Sequence, residues 1–340
     1  MNKRLVFFFI FIFGTSVTIT NLSCTSQNRI SVNEYLITTS DSIIQTLGIS
    51  DGFICWQEGN PNTSTYRIMA RELVAKTDFV IEPFSSGHLV WAAGEGYIVW
   101  MSNPEQFSDY YENIWVYDLR NRNKSQRNVT PGYRDNVRMS GTHVLWYESG
   151  TKSLKGLDIV TNEALTYPLL GYSRDLDHFF EFNKDYIVFY DRGQIVVYNI
   201  ENGATTNIPT SEKYSSIKLS GNILVWLDES RGRAGDLIAY NLLTGKETRL
   251  PETWSHSWQQ SVSGDIIVWE DDRNDPDRNY DIYGYDLQTG TEFPICTAPG
   301  YQQWPAIEND TVVWFDRRNG LFTEYLIYGA QIIRNTSNNK

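Results

Sequence analysis

Beyond its first two dozen residues, this 340-residue chain has no stretch whose apolar residues recur at helical spacing, which argues against an α/β architecture. Cysteine is scarce. Of three, Cys24 falls at the end of an N-terminal leader, and Cys55 and Cys296 fall in units one and six of the repeat register given below. Two buried free thiols are therefore expected instead of a disulfide. Positive charge is in deficit, with 29 Lys and Arg against 41 Asp and Glu, a net charge of -12. That balance disfavours a nucleic-acid backbone or an anionic membrane surface as the main partner, because both repel an acidic protein. A nucleophile motif, a phosphate-binding glycine loop and a paired-carboxylate signature are missing too.

What is present begins with an address. Lys3 and Arg4 precede an apolar run from Leu5 to Phe13 and a more polar stretch to Ser23, the pattern of a secretory signal, so residues 1–24 are set aside from the fold. Leu22-Ser23-Cys24-Thr25 is a loose version of a bacterial lipoprotein cleavage site, with Asn21 where a Leu is usual. Lipidation of Cys24, plain secretion and a retained anchor stay open as readings, and in each the membrane is met only through the N-terminus.

The remainder repeats. A short β-branched run ending in Trp or Phe recurs at Trp56, Trp100, Trp146, Phe189, Trp226, Trp269 and Trp314. The mean interval, about 43 residues, matches the roughly 40–45 residues of a four-stranded propeller blade. Five residues before the aromatic lies a turn, as at Gly141-Thr142, Gly221-Asn222 and Gly264-Asp265, which makes the first two strands a tight hairpin. A variable loop and a second alternating run follow, such as Asp236 to Leu242 or Asp281 to Leu287, then a Gly turn and a short fourth strand. Runs such as Asp265 to Trp269 are apolar on both faces, as suits blades stacked face to face.

These features predict an all-β, seven-bladed β-propeller of four-stranded antiparallel blades over residues 30–334, with a polar tail at 335–340. The seventh unit lacks a clear fourth strand at the C-terminus. Glu34-Tyr35-Leu36-Ile37 matches the fourth strand Glu292-Phe293-Pro294-Ile295, so the N-terminus is expected to complete blade seven and leave no exposed edge.

Units six and seven carry the phrase Val-Val-Trp-x-Asp-x-Arg-Asn-Gly and Asp-Ile-Tyr-x-Tyr-Asp-Leu-x-Thr-Gly most fully, at Trp269, Asp271, Arg273, Asn274, Asp281 to Leu287, Thr289 and Gly290, then at Trp314, Asp316, Arg318, Asn319 and Gly320. This resembles the TolB-type, WD40-like propeller repeats of exported and cell-surface bacterial and archaeal proteins. The resemblance implies the fold over nearly the whole mature chain and does not extend to TolB's role in the cell envelope. A carboxylate two residues after the landmark aromatic, at Glu58, Glu148, Asp191, Asp228, Asp271 and Asp316, recurs too widely for catalysis and is expected to bind the next loop or Arg273 and Arg318.

Binding residues are expected on the face that receives the long second-to-third strand loops and the links between blades. The links hold Tyr133, Tyr172, Tyr214, Trp254, Trp258, Tyr301 and Trp304, and with them His256; His88 and His178 occupy the same zone. An aromatic collar for stacking on sugar rings or a peptide is one role for them, and packing between blades is the other. Asp275, Asp277, Asn279 and Asp281 place oxygen side chains at alternate positions, which makes calcium the one candidate cofactor, although Tyr280 stands where a calcium loop needs Gly. Two functions remain: an exported, monomeric, non-catalytic module binding a protein, peptide or glycan outside the cell, or a carbohydrate-active lyase or hydrolase at the channel mouth.

Overall fold

The computed structural model describes residues 30–334 apart from 41, 61, 64, 87–88, 103–109, 149–150, 168–179, 211–213, 229–234, 251–258, 275–278 and 319–324. Cys24 and the leader lie outside the described residues, as does the tail.

The chain opens with β1 (Ile30–Ser40). Blade one follows as β2 (Ile43–Ser50), β3 (Phe53–Gly59), β4 (Thr65–Glu72) and β5 (Thr77–Ser86). Blade two is β6 (Leu89–Gly94), β7 (Tyr97–Ser102), β8 (Tyr110–Asp118) and the first part of β9 (Asn123–Ser140). The rest of β9 begins blade three, with β10 (His143–Glu148), β11 (Ser153–Asp158) and β12 (Ala164–Thr166). Blade four is β13 (Phe180–Phe182), β14 (Tyr186–Asp191), β15 (Gln194–Asn199) and β16 (Thr205–Pro209). Blade five is β17 (Tyr214–Ser220), β18 (Ile223–Asp228), β19 (Asp236–Asn241) and β20 (Glu247–Arg249). Blade six is β21 (Gln260–Ser263), β22 (Ile266–Asp271), β23 (Asp281–Asp286) and β24 (Thr291–Cys296). Blade seven takes β25 (Gln302–Glu308), β26 (Thr311–Asp316) and β27 (Tyr325–Arg334), and β1 pairs antiparallel with β27 as its outermost strand.

Burial follows the two-residue period of each second strand. Ile266 and Val268 of β22 pack toward blade seven with Val312 and Trp314, whereas Ile267 and Trp269 pack toward blade five with Val225 and Leu227. A strand buried on both faces has no polar side to show, which is why these runs read as continuously apolar. Seven such cores fill the seven interfaces between blades, and the one joining Ile54 and Trp56 to Val313 and Ile327 closes the ring. The innermost strands also touch in sequence around the ring, from β2 through β6, β9, β13, β17, β21 and β25 back to β2.

In blades one, six and seven the carboxylate two residues after the landmark Trp has the structural task expected of it. In blade six, Trp269 Nε1 donates to Asp271 Oδ2 at 2.9 Å, and Arg273 grips the same carboxylate with Nε at 2.8 Å and an amino group at 2.6 Å. The guanidinium lies over Tyr283, 4.3 Å from the ring centre, and reaches Glu292 of the outer strand. Blade seven repeats each part: Trp314 to Asp316 at 3.0 Å, Arg318 on Asp316, Arg318 over Tyr328 at 3.7 Å, and Arg318 to Glu34 at 2.6 Å. Glu34 of β1 thus stands where Glu292 stands in β24. The register agrees, since Tyr35 faces Gly329 as Phe293 faces Gly284, and neither glycine has room for a Cβ beneath its neighbours. The expected closure by Glu34 to Ile37 is therefore observed residue by residue. In blade one, Glu58 plays the same part for Trp56 and Arg67. Trp100, followed by Ser102, and Trp226, followed by Asp228, have indole N–H groups with no acceptor among the described residues.

Cys55 and Cys296 are buried free thiols, as the register requires. Burial, followed by the charges of Glu34 and Asp316, pushes the Cys296 thiol up to about 12.

Candidate functional site

Five innermost strands converge on a cavity of about 440 Å3 in the ring's centre. Thr46 and Gly48 come from β2, Lys218 from β17, Gln260 and Ser261 from β21, and Trp304 from β25. Blade two adds a wall behind Gly48. The Trp91 ring lies so close that a Cβ on Gly48 would meet it at 3.1 Å, and Trp91 Nε1 donates to Thr46 Oγ1 at 2.7 Å.

The shape of this wall depends on β-bulges, each of which inserts one residue and re-aims its neighbours. They interrupt the first strand of blades one, three, five and seven. In the last three the extra residues lie opposite the landmark Trp, and Asn136, Ser216 and Trp304 take left-handed backbone with φ of 52°, 41° and 56°. Asn tolerates that conformation, but for Trp it is strained and must be held by its surroundings. The buried carboxylate of Glu270 accepts the Trp304 backbone N–H, and Phe315 packs edge-on at 5.3 Å between ring centres. Trp304 remains 37% exposed, a large exposure for an indole braced from behind. Gln260, itself buried, donates to the carbonyl of Ser216 and so ties the blade-five bulge to blade six.

Charge along the wall is unusual for so acidic a chain. Arg138, Glu181 and Lys218 stand on the innermost strands of blades three, four and five. Lys218 Nζ lies 2.9 Å and Arg138 Nε 3.4 Å from one oxygen of Glu181. Burial opposes ionisation of Glu181, but Lys218 and then Arg138 outweigh it and hold its carboxyl below the usual range. A second cavity, about 390 Å3, lies among the first hairpins of blades two to five and is lined by Glu95, His143, Lys184 and Asp185 with turn backbone. The short-hairpin face is therefore less bare than its loop lengths suggest, but no aromatic lines it among the described residues.

The sequence-derived collar divides in the structure. Trp304 belongs to the cavity. Tyr301 instead packs near Tyr280, with 6.5 Å between ring centres, as a residue between blades does. Tyr214 and Trp304 lie in first strands and not in links, because the bulges break the alternation by which a strand's start is recognised, and Tyr133 lies in β9 opposite Tyr110 of blade two. Tyr172, Trp254, His256 and Trp258 fall outside the described residues, with His88, His178, Asp275 and Asp277. Asp281 is buried at the start of β23 and accepts from Asn274 Nδ2 at 2.7 Å, which fits the recurring polar residue of that strand. Among the described residues no group of three His, Cys, Asp or Glu side chains is placed to hold a metal ion. Asn136, Ser216 and Lys218 were missed, and the only signal of the bulges is an interrupted two-residue period.

No protein-family model matches the chain, and no curated protein matches it. Among solved structures it is similar to the β-propeller domain of the trilobed protease from Pyrococcus furiosus, described as having an open velcro topology, with a TM-score of 0.64 and 11% identity over 88% of this chain and 96% of that one. It is similar to a prolyl endopeptidase chain at a TM-score of 0.58 and 10% identity, covering 89% of this chain and 51% of that one, and so spans about half its length. TolB from Acinetobacter baumannii matches at a TM-score of 0.43 and 14% identity, over 79% of this chain and 58% of that one. Identities this low speak to fold alone. In fold, this chain is a seven-bladed β-propeller closed by its own N-terminal strand.

Proposed function

We propose that this protein is a non-catalytic binding module that works outside the cell and holds its ligand in the central cavity. The observation that carries the reading is Trp304, a part-exposed indole kept in strained backbone by Glu270 over a cavity of about 440 Å3. Strain of this kind persists where the surroundings over-determine it, and it clusters at ligand clamps. The volume lies within the roughly 300–1,000 Å3 range of small-molecule sites. Lys218 is the one ionisable group among the described residues lining the cavity, which favours binding over acid–base chemistry by a lyase or hydrolase. Export rests on the leader with Lys3 and Arg4, and anchoring on Cys24.

A thermal-shift screen of the mature protein against glycans, peptides and divalent ions tests this reading. A ligand at a hundred times its dissociation constant adds about 2.7 kcal/mol. The expected hit is lost in Trp304→Ala, whereas a hit unaffected by that change places binding elsewhere. Turnover of a polysaccharide by the wild-type protein would favour the enzyme reading, and a melt that shifts with calcium and chelator would bring Asp275 and Asp277 back into account.

A further inference from the structure

We infer that the cavity takes an acidic glycan, with a sugar ring on Trp304 and an anionic substituent of that glycan at Lys218; this rests on the binding role proposed above. Three observations carry it. First, Lys218 is the only charged side chain among the described residues lining the cavity, in a chain whose net charge is -12. Secondly, Lys218 and Arg138 share a single carboxylate, Glu181, so these three side chains together carry one net positive charge. Low-dielectric walls focus such a charge toward the cavity, where a mobile anion is its natural complement. Glu270, buried behind Trp304 and engaged with its backbone N–H, is not among the residues that line the cavity.

Thirdly, the remaining wall suits a sugar. An indole face stacks on the apolar face of a pyranose, and the Thr46 and Ser261 hydroxyls and the Gln260 amide supply the small number of placed polar groups that orient a ring. Lys218 reaches from blade five and Trp304 from blade seven, with Gln260 between them on blade six. A ligand touching both must span the cavity, which a saccharide of two or three rings does more readily than a free inorganic anion.

The test uses the mature protein and calorimetric titration with uronate-containing oligosaccharides, each beside its carboxyl-reduced counterpart, and with sulfated oligosaccharides beside desulfated ones. The expected result is at least tenfold tighter binding of one acidic form than of its neutral counterpart, weakening with salt. Which series binds identifies carboxylate or sulfate as the anion. Lys218→Met should reduce that preference to near unity, Lys218→Arg should keep it, and Trp304→Ala should weaken both forms. The melting temperature of each variant shows that it is folded. Equal binding of acidic and neutral forms, both lost in Trp304→Ala, overturns the charge inference and leaves the binding module standing. No binding of any oligosaccharide, with a peptide bound instead in a manner dependent on Trp304, overturns the glycan assignment while sparing the same reading. Binding that ignores Trp304 altogether overturns both.

Discussion

The Asp two residues after a landmark Trp does three things at once. Asp271 satisfies the indole N–H of Trp269, holds Arg273 with two bonds, and through Arg273 binds the outer strand at Glu292. Asp271 is fully buried, so its removal would leave an indole N–H without its acceptor and a largely buried guanidinium held by Glu292 alone. Asp271→Ala is expected to cost about 2–4 kcal/mol, read by urea unfolding. A loss under 0.5 kcal/mol would mean that the quartet is decoration. The thiols give a second residue-scale prediction. Burial raises both, so Cys55 and Cys296 should resist iodoacetamide at pH 8 in the native protein and react once urea unfolds it, as peptide mapping would read. The Asp–Arg pair was legible in the sequence because the carboxylate recurs two residues after six of the seven landmark aromatics and so shows its structural purpose by repetition, whereas the indole bond and the contact to the outer strand were not. Lys218 was not legible, because it occurs once and nothing local marks a side chain that meets its neighbours only after seven blades close.

Turns and strands carry the next layer. In the turn between third and fourth strands, Asp118, Asp158 and Asp286 each accept two backbone N–H groups through Oδ1, and Asn199 and Asn241 do the same without charge. At Asp118 and Asp158 burial raises the pKa, but those bonds outweigh it and the net shift is downward. A carboxylate depressed on folding contributes stability above its unfolded value of about 3.9 and loses it as pH falls through its lower folded value. Replacing Asp118 and Asp158 with Asn, as two other blades have done, should therefore shrink the stability difference between pH 7 and pH 3. An unchanged difference would refute the assignment. The closing strand makes a larger prediction. A chain beginning at Ser42 keeps β2 intact and loses only β1, hence Ile37 and the Glu34–Arg318 contact. Burying Ile37 alone is worth about 1.5–3 kcal/mol, so the melting temperature should fall clearly, and a synthetic peptide of residues 30–40 should restore part of it. Second and third strands were readable from period and turn chemistry. First strands were read too late because a bulge at Asn136, Ser216 or Trp304 offsets the alternation by one. The single 18-residue strand β9, which joins blades two and three, has no signal that would distinguish it from two strands and a link.

At the scale of the molecule, the ring turns seven weak sheets into one body. Each blade alone would expose both faces of its second strand; stacked, they share seven cores and leave only outer edges. Between blades, the Ser50, Ser220 and Ser263 hydroxyls accept the backbone N–H of Gly96, Gly264 and Asn309 in the first hairpin of the next unit, a hydrogen bond of 2.8–3.0 Å shared by three of the junctions. The propeller was legible because its cores are periodic. The cavity was not, since it is built from one strand of each of several blades and its character comes from exceptions to the repeat. Function in such a fold is expected where the blades differ, and among the described residues the innermost strands differ in their bulges and in the charges they carry. Hydrogen exchange of the mature protein, with and without the ligand that raises its melting temperature most, tests this claim directly. Protection confined to Thr46–Ile49, Ile217–Leu219, Gln259–Ser261 and Gln303–Ile307 is the predicted result, and protection confined to the outer strands, with these segments unchanged, would contradict it.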